Sequence, residues 1–233
     1  MSVQCFSSKC ESGVMNMATD WWLFENAKVP SFRHYQWKQV ETSFGYGQDW
    51  QWVAKQTNIP VHDLIRRPTG GGIVRHGYDW TYCLVLPKSH QSFSIPPRTL
   101  YKELHNSIGK GLESQGVQTV LQPCGENKKA AIPGDCFLEP VSWDLMDSEA
   151  CTKIAGAAMK RTRNGVLVQG TVDLRQKWSI NKELFLEDII KEVAHLLDES
   201  PEIREWPKEL SSLREGFVSV FSSIEWKRER RKI

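Results

Sequence analysis

Much that would explain a small protein at once is missing from this 233-residue chain. Six cysteines (Cys5, Cys10, Cys83, Cys124, Cys136 and Cys151) form no C-x-x-C pair and no Cys/His ligand spacing, so no metal site is expected. Charge of one sign is scarce: 30 basic against 28 acidic residues leave +2. The stretch Glu225 to Ile233 alone holds five positive and two negative residues, so the rest is about neutral. That gives nucleic-acid binding little support, and the basic tail 207–233 reads as a solvated helix end. The longest apolar runs fall far short of a membrane span. Met1 to Asp20 has no apolar core of the signal-peptide kind. The expectation is a cytoplasmic protein with reduced thiols and no membrane partner. Repeats and low-complexity tracts are absent too.

What is present is concentrated in Arg66-Arg67-Pro68-Thr69-Gly70-Gly71-Gly72-Ile73-Val74-Arg75-His76-Gly77. Three consecutive glycines bury no side chain and lose much backbone freedom on folding. Such a run suits a backbone that must approach something closely, with arginines alongside to meet negative charge or a carbonyl. A flexible hairpin turn is the plainer reading, and the glycines alone leave both open. No Lys-Ser/Thr follows at P-loop spacing, and GGG is not G-x-G-x-x-G, which excludes both nucleotide fingerprints.

Periodicity sketches the rest. Helices are expected over Met15–Asn26, Arg98–Gln115, Lys182–Asp198 and Glu209–Trp226. In the second of these, Leu100, Leu104, Ile108 and Leu112 repeat near 3.6 residues. Strands are expected over Phe32–Trp37, Thr42–Gly47, Trp80–Leu86, Val117–Gln122, Ser142–Met146, Thr152–Lys160 and Gly165–Asp173, with an irregular loop over Pro123–Pro133. The pattern implies one α+β domain spanning 1–233, with a mixed or antiparallel sheet flanked by helices.

A second constellation lies downstream. Cys136 follows the irregular loop, and Lys153 comes 17 residues later, opening Lys153-Ile154-Ala155-Gly156-Ala157-Ala158. An ammonium near a thiol favours the reactive thiolate, and it can donate to a developing oxyanion or act as a base when buried. The spacing is equally compatible with a small buried cysteine and a surface lysine. The small residues after Lys153 can serve close strand packing or leave a slot for a narrow ligand.

Four separated segments, in order, resemble the biotin/lipoate protein ligase superfamily, in its lipoate-ligase and octanoyltransferase branch. Met15 to Asp20 is similar to its opening helix. Phe32 to Trp37 with Thr42 to Gln48 is similar to its first strand pair. Arg66 to His76 resembles the R-R-x-[ST]-G-G-G-x-V-x-H loop. Lys153 to Ala158 followed by Gly165 to Thr171 resembles the K-[IV]-[AS]-G-[SA]-A … H-G-[ST] segment. The likeness covers about residues 13–200. Two departures stand out: Gln169-Gly170-Thr171 replaces His-Gly-[ST], and Gly77-Tyr78-Asp79 follows His76 where the family has an acidic residue directly.

The resemblance implies an acyl-binding site formed by Arg66, Thr69, Gly70, Gly71, Gly72, Val74 and His76 with Gly156, Ala157 and Ala158. It implies a catalytic pair, Cys136 and Lys153. Cys136-Phe137-Leu138-Glu139-Pro140 is similar to the Cys-Phe-x-x-Pro stretch of transferases that form a thioester on cysteine, where lipoate–protein ligases carry R-N-D. The implied activity is octanoyl or lipoyl transfer in protein lipoylation, with no cofactor and no metal. The implied donor is acyl carrier protein or an acylated lipoyl domain. The implied acceptor is a lipoyl domain, of the glycine cleavage H protein or a dehydrogenase E2 component. The runner-up is an ATP- and Mg²⁺-dependent lipoate–protein ligase. A third reading, of another class, is a non-catalytic module that binds a lipoylated partner.

Overall fold

The computed structural model describes residues 2–123, 134–135, 137–149, 152–174 and 179–230. Its elements are β1 (Ser2–Glu11), α1 (Gly13–Asn26), β2 (Ser31–Trp37), β3 (Thr42–Phe44), α2 (Trp50–Thr57), β4 (Leu64–Arg66), β5 (Val74–Arg75), β6 (Trp80–Pro87), α3 (Pro97–Glu113), β7 (Thr119–Leu121), β8 (Leu145–Asp147), β9 (Lys153–Thr162), β10 (Gly165–Val172), α4 (Lys182–Leu196), β11 (Ser200–Arg204), α5 (Leu210–Leu213), α6 (Glu215–Ser222) and α7 (Ile224–Glu229). Eight strands form one sheet in the order β11-β1-β2-β6-β10-β9-β8-β7, and β4-β3-β5 form a second. β1 pairs in parallel with β2 and β11, and the remaining pairs of the large sheet are antiparallel. The fold is α+β with a mixed sheet, as the periodicity implies.

Both faces of the large sheet are covered, which explains why every residue of β6 and β10 is buried. α3 and α4 cover one face: Leu100, Leu104, Ile108 and Leu112, the four residues of the 3.6-residue repeat, pack against Leu84, Val168 and Phe185. α1 and α6 cover the other, where Met17, Leu23 and Phe221 meet Tyr35, Val85 and Leu167. Two such layers need the alternation of β2, whose Phe32 enters the first cluster while Tyr35 and Trp37 enter the second.

Several elements differ from the sequence reading. β1 goes unread in Ser2–Glu11 because its inward positions include only two strong apolar residues, Val3 and Cys5, and its pairing with β2 is interrupted by a register shift. α2, β4 and β11 are likewise additional, and strand Thr42–Gly47 ends at Phe44. The expected helix Glu209–Trp226 is three short helices, with Arg214 closing the first and preceding the second. Arg214 is 3% exposed and binds both oxygens of Glu11 at 2.6 Å. Nor is the tail simply solvated. Trp226 is buried and donates its indole N–H to the Arg66 carbonyl at 2.9 Å, while Lys227 donates its ammonium to the His62 carbonyl. An aromatic anchor within a basic run overrides the charge pattern. Of the expected loop, residues 124–133 lie outside the described residues. So do Cys124, Cys136 and Cys151, while Cys5, Cys10 and Cys83 are free thiols.

Candidate active site

The glycine run joins β4 to β5 and folds over the large sheet. Gly71 has φ +84°, which β-branched or bulky residues avoid. A Cβ on it would stand 3.2 Å from Arg67 Nη2 and 3.5 Å from Ala158 Cβ. The glycine loop thus touches the small-residue stretch of β9 almost directly. Neighbouring Gly45 must also lack a side chain, since its Cβ would fall 2.0 Å from the Gly71 carbonyl.

Between loop and sheet runs a narrow, half-open slot. Gly71, Val74 and His76 wall it on the loop side, and Gly156, Ala157 and Ala158 on the β9 side. Those six are among the expected substrate contacts. The other four are placed elsewhere. Thr69 uses its hydroxyl to reach Gln169 Oε1 at 2.7 Å, and the slot has no lining from Gly70 or Gly72. Arg66 turns away: its guanidinium donates to the carbonyls of Tyr46, Gln48 and Lys227 at 2.6, 3.0 and 2.8 Å. Burial, with Arg230 nearby, lowers its pKa to about 10. It is the bolt that joins β4 to the C-terminal helix. The arginine that lines the slot is its neighbour, Arg67. Strand alternation puts the two on opposite sides, and two adjacent arginines in a sequence do not say which is which. Met17 of α1, Tyr35 and Trp37 of β2, and Thr81 of β6, which sequence reading missed, join Gln169, Gly170 and Thr171 of β10 in the rest of the lining. A period-2 pattern in β2 carried the only signal for Tyr35 and Trp37.

Polar groups behind the loop form a closed chain. Arg67 donates to Ser43 Oγ at 2.6 Å and to the Gly70 and Gly72 carbonyls at 2.9 and 2.7 Å. Ser43 meets His76 Nε2 at 2.6 Å, and His76 Nδ1 meets Asp79 Oδ2 at 2.7 Å. Asp79 also accepts from Thr171 and Thr81, at 2.5 and 3.0 Å. Burial pushes the Asp79 carboxyl up, but His76, Thr171 and the Gly77 amide outweigh it and hold it well below the usual range. Burial lowers the His76 pKa. The consistent assignment is a neutral imidazole with its proton on Nδ1 toward Asp79, accepting from Ser43 at Nε2. His76 also stacks on Trp37 at 3.8 Å. The carboxylate expected directly after His76 is therefore supplied by Asp79, three residues on.

Gln169 is explained the same way. Its oxygen accepts from Thr69 and its amide nitrogen donates to Asp20 Oδ2 at 2.7 Å. One donor and one acceptor on opposite ends is what a neutral histidine would also offer there. Asp20 in turn holds Arg33 Nε at 2.7 Å, with both side chains 0% exposed.

Lys153 packs against the β9 wall of the slot. It opens β9 at a register shift between Leu145 and Met146 of β8, an irregularity of the kind that re-aims side chains. Its ammonium lies over Gly156, whose Cβ would stand 2.5 Å from both Cε and Nζ. Glycine at 156 is thus the vacancy that admits the lysine. Nζ forms an ion pair with Asp144 Oδ2 at 2.7 Å, with side-chain exposures of 2% and 0%. Tyr101 donates to Asp144 Oδ1 at 2.5 Å, and its oxygen accepts from the Ala157 N–H at 3.3 Å. His105, one helical turn after Tyr101, packs edge-on to its ring at 4.3 Å. Burial and the Lys153 charge push the His105 pKa down to about 3. Neither Asp144 nor Tyr101 carries a motif that marks it in the sequence. Cys136 lies outside the described residues; its neighbour Phe137 has its ring 5.8 Å from Lys153 Nζ. Its other neighbour, Asp135, bridges to Ile73 of the glycine loop.

Among the described residues, no group of three His, Cys, Asp or Glu gathers as a metal site, and no helix is long and apolar enough to cross a membrane.

A mixed sheet crossed by a glycine loop, with a buried lysine packed over Gly156 in the wall of the slot between them, places the chain in a defined class. It belongs to the lipoyl protein ligase A/B catalytic domain family, whose pattern matches residues 12–215. Among individual relatives, octanoyltransferase LipM of Lysinibacillus sphaericus is 30% identical over 187 residues, covering 73% of this chain and 66% of that protein. The enzyme of the same name from Oceanobacillus iheyensis is 27% identical over 181 residues, covering 75% and 65%. The match thus spans slightly less than two thirds of these relatives' length. Among solved structures, a putative lipoate protein ligase from Thermoplasma acidophilum with bound lipoic acid shares the fold, with TM-score 0.74, 17% identity and coverage of 97% and 98%. A lipoate-protein ligase A bound with ATP gives TM-score 0.74 and 18% identity over 97% of each of the two chains to within one percentage point.

Proposed function

We propose that this protein is an octanoyl or lipoyl transferase in protein lipoylation, working through a thioacyl-enzyme on Cys136. The observation that carries the reading is the buried Lys153 ammonium packed over Gly156 in the wall of a narrow, small-residue slot, with Phe137, the residue after Cys136, at its side. The relatives named octanoyltransferase supply the chemistry.

In this mechanism the Cys136 thiolate attacks the carbonyl of a medium-chain acyl donor, a thioester on acyl carrier protein or an amide on another lipoyl domain. The carbon–sulfur bond forms, the tetrahedral oxyanion collapses, and the donor leaves, as a thiolate from the thioester or, once its nitrogen has taken up the proton the Cys136 thiol gave up, as an amine from the amide. A neutral lysine amine of the acceptor lipoyl domain then attacks the thioester, the Cys136 thiolate departs, and an amide results. Lys153 is the positive charge nearest the reaction. Gly71, Ala157 and Ala158 leave space for the chain, each buried methylene contributing about 0.8 kcal/mol. The reaction needs neither nucleotide nor metal.

The test is intact-protein mass spectrometry after mixing with octanoyl-acyl carrier protein without ATP. A gain of one octanoyl group, released by hydroxylamine and absent in Cys136→Ala, is expected. Loading of free lipoate that requires ATP and Mg²⁺, and survives Cys136→Ala, would replace this reading with the ligase.

A further inference from the structure

The pair of carboxylate and hydroxyl behind Lys153 belongs to no motif, yet everything about it is built. Asp144 sits on a corner where Trp143 adopts φ +71°, a left-handed conformation that non-glycine residues rarely take. The corner is pinned by two backbone hydrogen bonds to Gln122, Trp143 N–H to its carbonyl at 2.9 Å and Gln122 N–H to the Asp144 carbonyl at 2.8 Å. The Asp144 carboxylate accepts from the Val141 amide at 2.6 Å, from Tyr101 at 2.5 Å and from Lys153 at 2.7 Å. Three strong donors converge on one carboxylate that is 0% exposed. Taking the Lys153 proton away to an outside acceptor would leave that carboxylate buried without its cation, which opposes a neutral amine there.

Tyr101 reaches this spot because β8 is only three residues long. β8 pairs with β9 at Ala155 and Lys153, and among the described residues no strand pairs with that edge of β9 from Gly156 onward. The Tyr101 hydroxyl takes the Ala157 N–H there and passes its own proton toward Asp144.

We infer that Asp144 and Tyr101 are positioning residues that hold Lys153 as a permanent ammonium donor aimed over Gly156, so that Lys153 stabilises the oxyanion and does not act as the base. This rests on the acyl-transfer reading above. The proton released when the acceptor's amine becomes an amide then goes to the sulfur that leaves, and Lys153 holds the same three protons before and after each step. A lysine working as base would instead have to enter the cycle neutral, and Asp144 opposes that.

Two measurements test this, one independent of activity. In ¹⁵N-labelled protein near neutral pH, a slowly exchanging side-chain ammonium resonance should be present, identified by its loss in Lys153→Met. Absence of that resonance from the folded wild type would overturn the inference whether or not the protein transfers acyl groups. It should broaden away in Asp144→Asn, and an unchanged signal in that variant would also count against it. The second is single-turnover acyl transfer. Asp144→Asn should lower the rate constant on the order of 10²-fold while KM for the donor stays within about threefold, the split expected of lost transition-state stabilisation. Asp144→Glu should recover part of that loss, and Tyr101→Phe should lower the rate about tenfold. Wild-type rates in Asp144→Asn would sink the inference. If no variant, wild type included, transfers acyl groups, the transfer reading fails while the resonance still decides the state of Lys153.

Discussion

Two buried ion pairs flank the slot, and they look alike until their proton chemistry is compared. Arg33–Asp20 and Lys153–Asp144 are each separated by 2.7 Å, and neither has a side chain more than 2% exposed. Asp20 accepts from Arg33, Gln169 and Tyr35; Asp144 accepts from Lys153, Tyr101 and the Val141 amide. Yet Arg33 is walled in by Asn16, Asp20 and the Tyr35 ring, 4.0 Å from its Cζ, and the slot has no lining from it. Burial works against its charge, but Asp20 more than compensates and raises its pKa further. Lys153 instead lies over a glycine that lines the slot. A satisfied buried charge pair is therefore no mark of catalysis. What separates the two is the cation itself: an ammonium such as that of Lys153 can exchange a proton, and a guanidinium such as that of Arg33 cannot.

The largest expected effect breaks that contrast at its functional end. Lys153→Met should lower acyl transfer by about 10³-fold or more, equivalent to about 4 kcal/mol of transition-state stabilisation. The substitution also strands Asp144, so stability should fall by about 3–5 kcal/mol and the rate is read per folded molecule. Single-turnover kinetics with circular dichroism of the same sample reads both. A transfer rate within tenfold of wild type would make Lys153 as structural as Arg33.

Next in size is the opposite substitution. Arg33→Met strands the Asp20 carboxylate in the core and should cost about 3–5 kcal/mol of stability. Urea denaturation measures this directly. Whatever fraction remains folded should keep its turnover number. Loss of turnover in fully folded Arg33→Met would show that the back of the slot takes part in chemistry.

How much of this was legible beforehand follows from what each residue's role depends on. Lys153 and the glycine loop are local: the glycine run and the lysine ahead of small residues are visible as strings. The repeat Leu100, Leu104, Ile108 and Leu112 is local too, and all four are buried as the period demands. Tyr101 and Asp144 could not be read that way, because they reach the site from 52 and 9 residues upstream of Lys153 through a short strand and a backbone corner. Arg67 was missed for a subtler reason. The pair Arg66-Arg67 was visible, but only the pairing of β4 with β3 decides which guanidinium faces the slot. Trp226 shows the reverse error, where a run of charges hid one aromatic that docks.

A smaller effect separates the histidines near the two pairs from those on the surface. Burial holds His34 at about 4 and His105 at about 3, so in the folded protein both stay neutral where an unfolded histidine already binds a proton. Below about pH 6.5 the unfolded chain therefore holds more protons, and stability falls as pH drops, by about 1.4 kcal/mol per pH unit for each histidine. The slope should end near pH 4 for His34 and pH 3 for His105. Denaturation curves at half-unit intervals from pH 7.5 to 4.5 measure it. His105→Leu should remove about half the slope, and an unchanged slope would mean that His105 titrates normally.

The smallest expected effect concerns the glycines themselves, and it sharpens which part of the loop touches the acyl chain. A Cβ on Gly70 meets nothing within 4 Å, and Gly70 is not among the positive-φ residues. Alanine there should change stability by about 0.5 kcal/mol in either direction, or raise it slightly by restricting the unfolded chain. Gly71→Ala, one residue on, forces a side chain into φ +84° beside Arg67 and Ala158 at the slot wall, and should cost about 1–2 kcal/mol. Its kinetic signature should be a raised KM that worsens with acyl length, because the methyl narrows the space for the chain. Paired measurements on C6, C8 and C10 donors decide the matter. If Gly70→Ala discriminates among chain lengths as strongly as Gly71→Ala, the chain passes over the whole glycine run and not only along the face that lines the slot.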